Sequence, residues 1–302
     1  MSLPAYRIGA LAKLTGLSTH AIRVWERRYG AAAPSRSKGG ARLYTEADVQ
    51  RFRLIKELLE RGYSTRAIAS LGLSQLAELA RGEVALLPKP NDAEQGGAAR
   101  EVIDALLGAV TELNLEKAER VLARAANEFS PRELVIGILA PALEEIGARW
   151  ASGGLCTASE HAASALFRTR LGALLSAQPV GKSPAVVCTT PTGELHELGA
   201  LLVAVLIAMR GRRAVFLGAS LPAEQIVEAA RRSKAQAVAL SVIALAPDDA
   251  RRELTLLSEL LPPKVELVVG GRGLSGAASL PPRLKVLSSF ADLERWLDTL
   301  AR

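Results

Sequence analysis

Cysteine is scarce in this 302-residue chain, with only Cys156 and Cys188. They allow at most one disulfide, and neither has a neighbour at CxxC spacing. That argues against a disulfide-stapled fold and against a cysteine-based zinc site. Histidine is also rare, with three residues. No apolar run is long enough to span a bilayer: the most apolar stretch, Leu195 to Met209, contains His196 and Glu197 and is too short. The start, Met1-Ser2-Leu3-Pro4, has no signal-peptide core, and Arg7 interrupts it early. A reduced, cytoplasmic setting without a membrane partner is therefore expected. An internal repeat, a phosphate-cradling P-loop and a Ser/His/Asp set are also missing, so the sequence points away from an enzyme. What is present is ordinary globular composition, 49% hydrophobic and 23% charged, in a length that fits two or three domains.

Charge is spread unevenly. Residues 1–80 hold thirteen Lys/Arg against six Asp/Glu, a surplus equal to the +7 of the whole chain, so residues 81–302 are neutral. A basic surplus confined to one end fits an anionic partner for that end, nucleic acid first. There, Ile8 to Leu14 reads as a helix, Gly16 as a tight turn, and Ser18 as the cap of a second helix from Thr19 to Arg28. Thr19 opens that second helix, and Arg23, Arg27 and Arg28 fall on or near one face of it. This spacing reaches the bases and phosphates of a major groove. A basic hairpin follows, in which Arg36, Lys38 and Arg42 are expected to grip phosphates or enter a minor groove. Tyr44 is placed with this DNA-binding set. The other reading, a place in the small domain's core, is preferred for Trp25. The string IGALAKLTGLSTHAIRVWERRYG, followed by GGARLYTEADVQRFRLIKELLERGYS, resembles the winged-helix DNA-binding domain of the MerR family over roughly 70 residues. Val24 stands where the family often has an aromatic. The resemblance implies a helix-turn-helix with a two-stranded wing that binds double-stranded promoter DNA as a dimer.

Beyond residue 80 the pattern changes twice. Residues 81–97, with Pro88, Pro90, Gly96 and Gly97, read as a linker. Over 98–179 the apolar positions recur at helical spacing, as in Val102, Leu106, Val110 and Leu113, and Ser130-Pro131-Arg132-Glu133 has the form of a capping box. A four-helix bundle is expected. Over 183–302, β-rich runs at 185–190, 213–217, 237–243, 265–269 and 285–288 alternate with helical stretches near 196–210, 222–233, 247–260 and 290–301. Apolar strands alternating with helices predict a parallel sheet covered on both faces. The expected fold class is multidomain, α plus α/β: a winged helix-turn-helix over 1–80, a central helical bundle, and a flavodoxin-like, doubly wound, Rossmann-like domain.

The first of those strands ends at Thr190, and the loop Pro191 to Glu197 then lies at the carboxyl edge of the sheet, where ligands bind. An imidazole at His196 suits metal ligation through one nitrogen while Glu194 holds the other; a structural histidine is the alternative. Gly199 would let the backbone approach a bulky ligand. Ser241-Val242 end the third strand, and Gly270-Gly271 end the fourth. The set ELHELG, SVI and GG, in this order, resembles the cobalamin-binding domain of methionine synthase and its relatives, with Glu194 replacing the usual Asp as in MerR-type cobalamin regulators. The resemblance implies His196 as the lower axial ligand of cobalt. It also implies that the dimethylbenzimidazole tail lies near Ser241, Val242, Gly270 and Gly271.

In the helical segment, Trp150 is followed after nine residues by Glu160-His161. This resembles the helical cap of light-dependent repressors of the CarH, CarA and LitR type. It implies adenosylcobalamin as cofactor, Trp150 against the upper deoxyadenosyl group, and Glu160 and His161 nearby. Light would act by breaking the cobalt–carbon bond and changing a homo-oligomer, dimer or tetramer. Ala151 stands where the best-known light sensors have a histidine that captures cobalt after photolysis, leaving His161 as the candidate upper ligand. One alternative is a light-independent repressor that senses cobalamin or is controlled by an antirepressor protein. Another is a different tetrapyrrole, such as a bilin on Cys156 or Cys188, although a buried structural thiol is the plainer reading of each cysteine. A corrinoid enzyme is disfavoured by the fused DNA-binding segment.

Overall fold

The structure is a computed structural model and describes residues 5–17, 19, 22–23, 25–26, 30–37, 39–60, 68–69, 71–81, 92–181, 183–274 and 280–300. The chain divides into two compact units, Met1–Ser159 and Glu160–Arg302.

In the first unit, β1 (Tyr6–Arg7) leads into α1 (Ile8–Thr15). Gly16 ends α1 in the left-handed region at φ 68°, and its N–H bonds the Ala12 carbonyl. Glycine suits such a cap because no Cβ strains it. Helical structure resumes at Thr19, Ile22, Arg23, Trp25 and Glu26, while Arg27, Arg28 and Lys38 lie outside the described residues. β2 (Ser35–Arg36) and β3 (Arg42–Tyr44) form an antiparallel hairpin, and β1 pairs with the other side of β3. α2 (Glu46–Glu60) and α3 (Leu73–Arg81) complete the module. Its core includes Leu11, Ile22, Trp25, Phe52 and Ile55, with Trp25 stacked on Phe52 at 6.4 Å between ring centroids.

α4 (Asp92–Thr111) and α5 (Leu115–Glu128) follow. The expected linker is shorter at its far end, because Asp92–Gly97 already belong to α4; residues 82–91 lie outside the described ones. Gly96 and Gly97 cost a helix roughly 1 kcal/mol each, which the cooperative growth of a helix this long outweighs. The capping box forms as expected: buried Ser130 Oγ accepts the Glu133 N–H at 3.2 Å, and the Glu133 carboxylate accepts the Ser130 N–H at 2.8 Å. Ser130→Ala should lower stability by ~1 kcal/mol in denaturant unfolding. Leu134–Leu139 then wind as a π-helix before α6 (Ala140–Ala151), a feature the sequence reading did not foresee. The Ala140 N–H reaches back to the Val135 carbonyl. Pro141 has no N–H to return to the Gly137 carbonyl, so a regular α-helical turn here would leave that acceptor unmatched. α7 (Thr157–Ser176) contains the division between the two units.

The second unit holds β4 (Ala185–Thr189), β5 (Ala214–Phe216), β6 (Ala235–Ser241), β7 (Glu266–Gly270) and β8 (Leu284–Leu287). All pairs are parallel, in the order β5-β4-β6-β7-β8. The order reverses direction between β4 and β6, the switch point where doubly wound sheets bind ligands. α9 (Ala223–Ser233) and α10 (Pro247–Leu260) pack on the face formed by Val187, Val238, Leu240 and Val269. α8 (Leu198–Met209) is outside that cluster, packs on β4, β5 and β6, and is buried along most of its length, as expected of a helix apolar all round. α11 (Phe290–Thr299) lies against β8. The fold class read from the sequence is the one observed. Among the described residues no helix is long and apolar enough to cross a membrane. Cys188 is buried in β4, but Cys156 is exposed, contrary to expectation. It lies in the turn before α7, where its Sγ meets Ser159 Oγ at 3.3 Å.

Candidate functional site

The loop after β4 is pinned from two sides. The Thr190 hydroxyl accepts the Ser220 N–H and donates to the Glu194 carbonyl, and Ser220 Oγ accepts the Gly193 N–H. Glu194 is buried and reaches across the switch point. Its Oε2 accepts the N–H groups of Ile243, Ala244 and Leu245 at 2.7, 2.7 and 3.2 Å. Its Oε1 accepts the His196 N–H at 3.0 Å and meets His196 Nδ1 at 2.5 Å. Burial alone would raise this carboxyl, but the bonds from His196 and the backbone N–H groups overcome it and hold the group down at about 2. An ionised carboxylate can only accept, so Nδ1 carries the proton, and in the neutral ring Nε2 presents its lone pair. No described residue bonds Nε2, and the ring is half exposed. The bond to Glu194 raises His196, and the nearby Glu160 carboxylate adds to the rise.

The sequence-predicted set around this loop is brought together. Ser241 pairs with Gly270 at the ends of β6 and β7. A Cβ at Gly199 would overlap Ser241 Oγ, so its missing side chain serves the close approach of α8 to β6. Gly271, at φ 109°, lies against the Val242 carbonyl. Three further residues around the loop were given no role from the sequence. Leu195 is 72% exposed beside His196, and buried Glu197 pairs with Arg168 of α7 at 2.5 Å. An acid at the start of so apolar a helix was the available signal for Glu197. On α7, Glu160 accepts the Ser164 hydroxyl at 2.7 Å and meets His161 Nδ1 at 2.7 Å, leaving His161 exposed. Trp150 in the first unit is 45% exposed, so it is not a bundle core residue; its Nε1 donates to Thr157 Oγ1 at 3.4 Å.

Among the described residues no three His, Cys, Asp or Glu side chains gather to hold a bare metal ion. One imidazole backed by a carboxylate suits a metal that arrives with its own in-plane ligands, as a corrinoid does. Backbone crowding at Gly199 and Gly271 fits a sheet edge built for close approach. Cys188, sealed inside β4, is unsuited to attach a bilin.

At the other end, Thr19, Arg23 and Arg36 are exposed. Two expectations need correction. Tyr44 is fully buried and its hydroxyl donates to Glu26 Oε2 at 2.9 Å, so the ring belongs to the core and does not face DNA. Burial first, then that bond, push its phenol up. Arg42 is not a free phosphate grip either: its Nε donates to Glu26 Oε1 at 2.8 Å.

Residues 6–72 match the MerR HTH family regulatory protein family, and residues 102–175 and 184–283 match two B12 binding domain families. The chain is 34% identical over 302 residues to the HTH-type transcriptional repressor CarH of Myxococcus xanthus, covering 100% of this chain and 99% of that one. It is 32% identical over 270 residues to the repressor CarA of the same organism, covering 88% and 86%. The monomethylamine corrinoid protein of Methanosarcina barkeri superposes with a TM-score of 0.53 at 18% identity, over 67% of this chain and 99% of that one; this likeness concerns the fold alone. The full-length similarity is to repressors, while the B12-binding fold is shared with corrinoid proteins. A helix-turn-helix and a cobalamin-binding half, aligned end to end with a repressor built the same way, place this chain in the CarH-type family of MerR transcriptional repressors.

Proposed function

We propose that this repressor holds adenosylcobalamin with His196 as the lower ligand to cobalt, and that light acting on that group changes the protein's assembly and its grip on promoter DNA. The observation that carries the reading is the Glu194–His196 pair, a buried carboxylate that fixes one ring nitrogen and leaves the other free at the carboxyl edge of the sheet. When bound, the group would supply a cobalt–carbon bond that visible light breaks. The chain's own residues do the rest. Glu194 holds the proton on Nδ1 and aims Nε2. Gly199, Ser241, Val242, Gly270 and Gly271 shape the backbone beside which the nucleotide tail would lie. Trp150 is assigned to the deoxyadenosyl group, with Glu160 and His161 as polar neighbours. Residues 1–80 would bind the duplex through Thr19, Arg23, Arg27, Arg28, Arg36 and Lys38, residues 98–179 would form the cap, and 183–302 the corrinoid domain. A cytoplasmic dimer or tetramer fits, because linked DNA modules gain from effective concentration.

A second reading, control by cobalamin without light or by an antirepressor protein, is favoured by Ala151. That position offers no imidazole, and His161 already engages Nδ1 with Glu160. Protein mixed with adenosylcobalamin in the dark and then desalted is expected to retain the corrinoid absorption and to change size on illumination. His196→Ala is expected to weaken retention at least ~10-fold, the scale on which changes around a metal site act. Unchanged retention in the variant would remove the ligand assignment. Retention with no response to light would favour the second reading.

A further inference from the structure

We propose that Glu26 is a positioning residue for DNA binding, which locks the wing to the second helix of the helix-turn-helix through Arg42 and Tyr44. The inference rests on the reading of residues 1–80 as a DNA-binding module. One carboxylate serves two donors, Arg42 Nε at 2.8 Å and Tyr44 Oη at 2.9 Å. The donors are two residues apart on β3 and so project from the same side of that strand. The Tyr44 ring is sealed in the core, which fixes where its hydroxyl points, and the Glu26 side chain is only 15% exposed. The wing strand is therefore held at two points by one residue of the helix.

Charge alone argues against an acid here. Residues 1–80 carry the whole basic surplus, and a carboxylate close to Arg23 and Arg42 offsets it where a polyanion is to bind. A geometric role accounts for it. A wing and a helix that meet one duplex together must keep a set spacing, and a tie made before DNA arrives removes the ordering penalty from binding. Arg42 then acts within the protein, and exposed Arg36 on the neighbouring strand remains available to phosphate.

The test uses the full-length protein and a duplex that it selects from a random library. Failure to select any duplex would overturn the DNA-binding reading itself. With a selected duplex in hand, Glu26→Gln is expected to weaken binding about tenfold. Electrostatics without positioning predicts the opposite sign, since a negative charge is removed beside the phosphates. Equal or tighter binding by Glu26→Gln would therefore overturn the proposal. Arg42→Met is expected to weaken binding by a similar factor with the salt dependence unchanged. A salt slope lowered by about one would make Arg42 a phosphate contact and overturn the tie. In the double variant the losses should not add, as for residues acting through one contact; full additivity overturns the proposal. Tyr44→Phe keeps the buried ring, and so guards against loss of fold. It is expected to melt at a somewhat lower temperature with cooperative unfolding retained, and to bind the selected duplex several-fold more weakly, while affinity for an unrelated duplex stays the same. No loss in that variant counts against the tie.

Discussion

Replacing Glu194 with alanine is expected to destabilise the second unit by about 3 kcal/mol and to abolish corrinoid retention. The carboxylate is buried and accepts four backbone N–H groups, those of His196, Ile243, Ala244 and Leu245. Alanine leaves those donors without their acceptor. Bonds to a charged group are worth roughly 1.5–3 kcal/mol each, and water entering the space left behind recovers part of the loss. The loop then loses its tie to the segment after β6, and His196 loses the partner that sets its tautomer. Glu194→Gln should fall between wild type and alanine, because its amide keeps one acceptor oxygen but presents an N–H₂ group to donors. Hydrogen exchange at Ile243, Ala244 and Leu245, read beside the corrinoid absorption of desalted protein, checks both halves. Native exchange with lost absorption would confine Glu194 to the ligand, whereas fast exchange with retained absorption would refute its role behind His196.

Gly271→Ala is expected to cost about 3–5 kcal/mol, enough to leave the sheet edge largely open. At φ 109° the backbone is in a region that residues with a Cβ rarely adopt, and the added carbon would overlap the Val242 carbonyl. Strained backbone contributes ~1–3 kcal/mol. The overlap adds more, because the Val242 carbonyl is backbone fixed by the Gly273 N–H and cannot swing aside as a side chain can. The Val242 N–H bonds the Gly270 carbonyl, so the distortion would pass to both strand ends. Hydrogen exchange of the β6 and β7 amides is the suitable measurement, since it reports the second unit separately from the first. Protection equal to wild type would mean that the turn adopts another backbone conformation. Gly199→Ala should be milder, because the atom in its way is a serine hydroxyl with other rotamers open to it.

Much of this architecture could be read along the chain because its causes are local. Each expected strand of the sheet formed within about two residues of its reading, since an unbroken apolar run bounded by turn residues has few other ways to be buried. The Ser130 capping box needed only residues three apart. The motif at Glu194 and His196 was visible for the same reason, with two residues of spacing and a strand just before it. The pairing of Arg42 and Tyr44 was hidden because the residue that engages both, Glu26, is 16 and 18 positions away. An acid among recognition-helix arginines has no periodicity to mark it. The π-helical turn before α6 was missed although Pro141 was in plain view, because a missing N–H permits a kink, a bulge or a break, and packing chooses among them.

The sequence by itself determined the family, the order of helices and strands, and the donor types at the sheet edge. Each of these follows from backbone and side-chain preferences acting over a few residues. Only the tertiary structure decided which charges are already paired. It set Arg42 on Glu26, Arg168 on Glu197, and Glu194 on amides 49 to 51 residues further along. Those pairings depend on where distant segments meet, and burial strengthens them by removing the water that would otherwise compete.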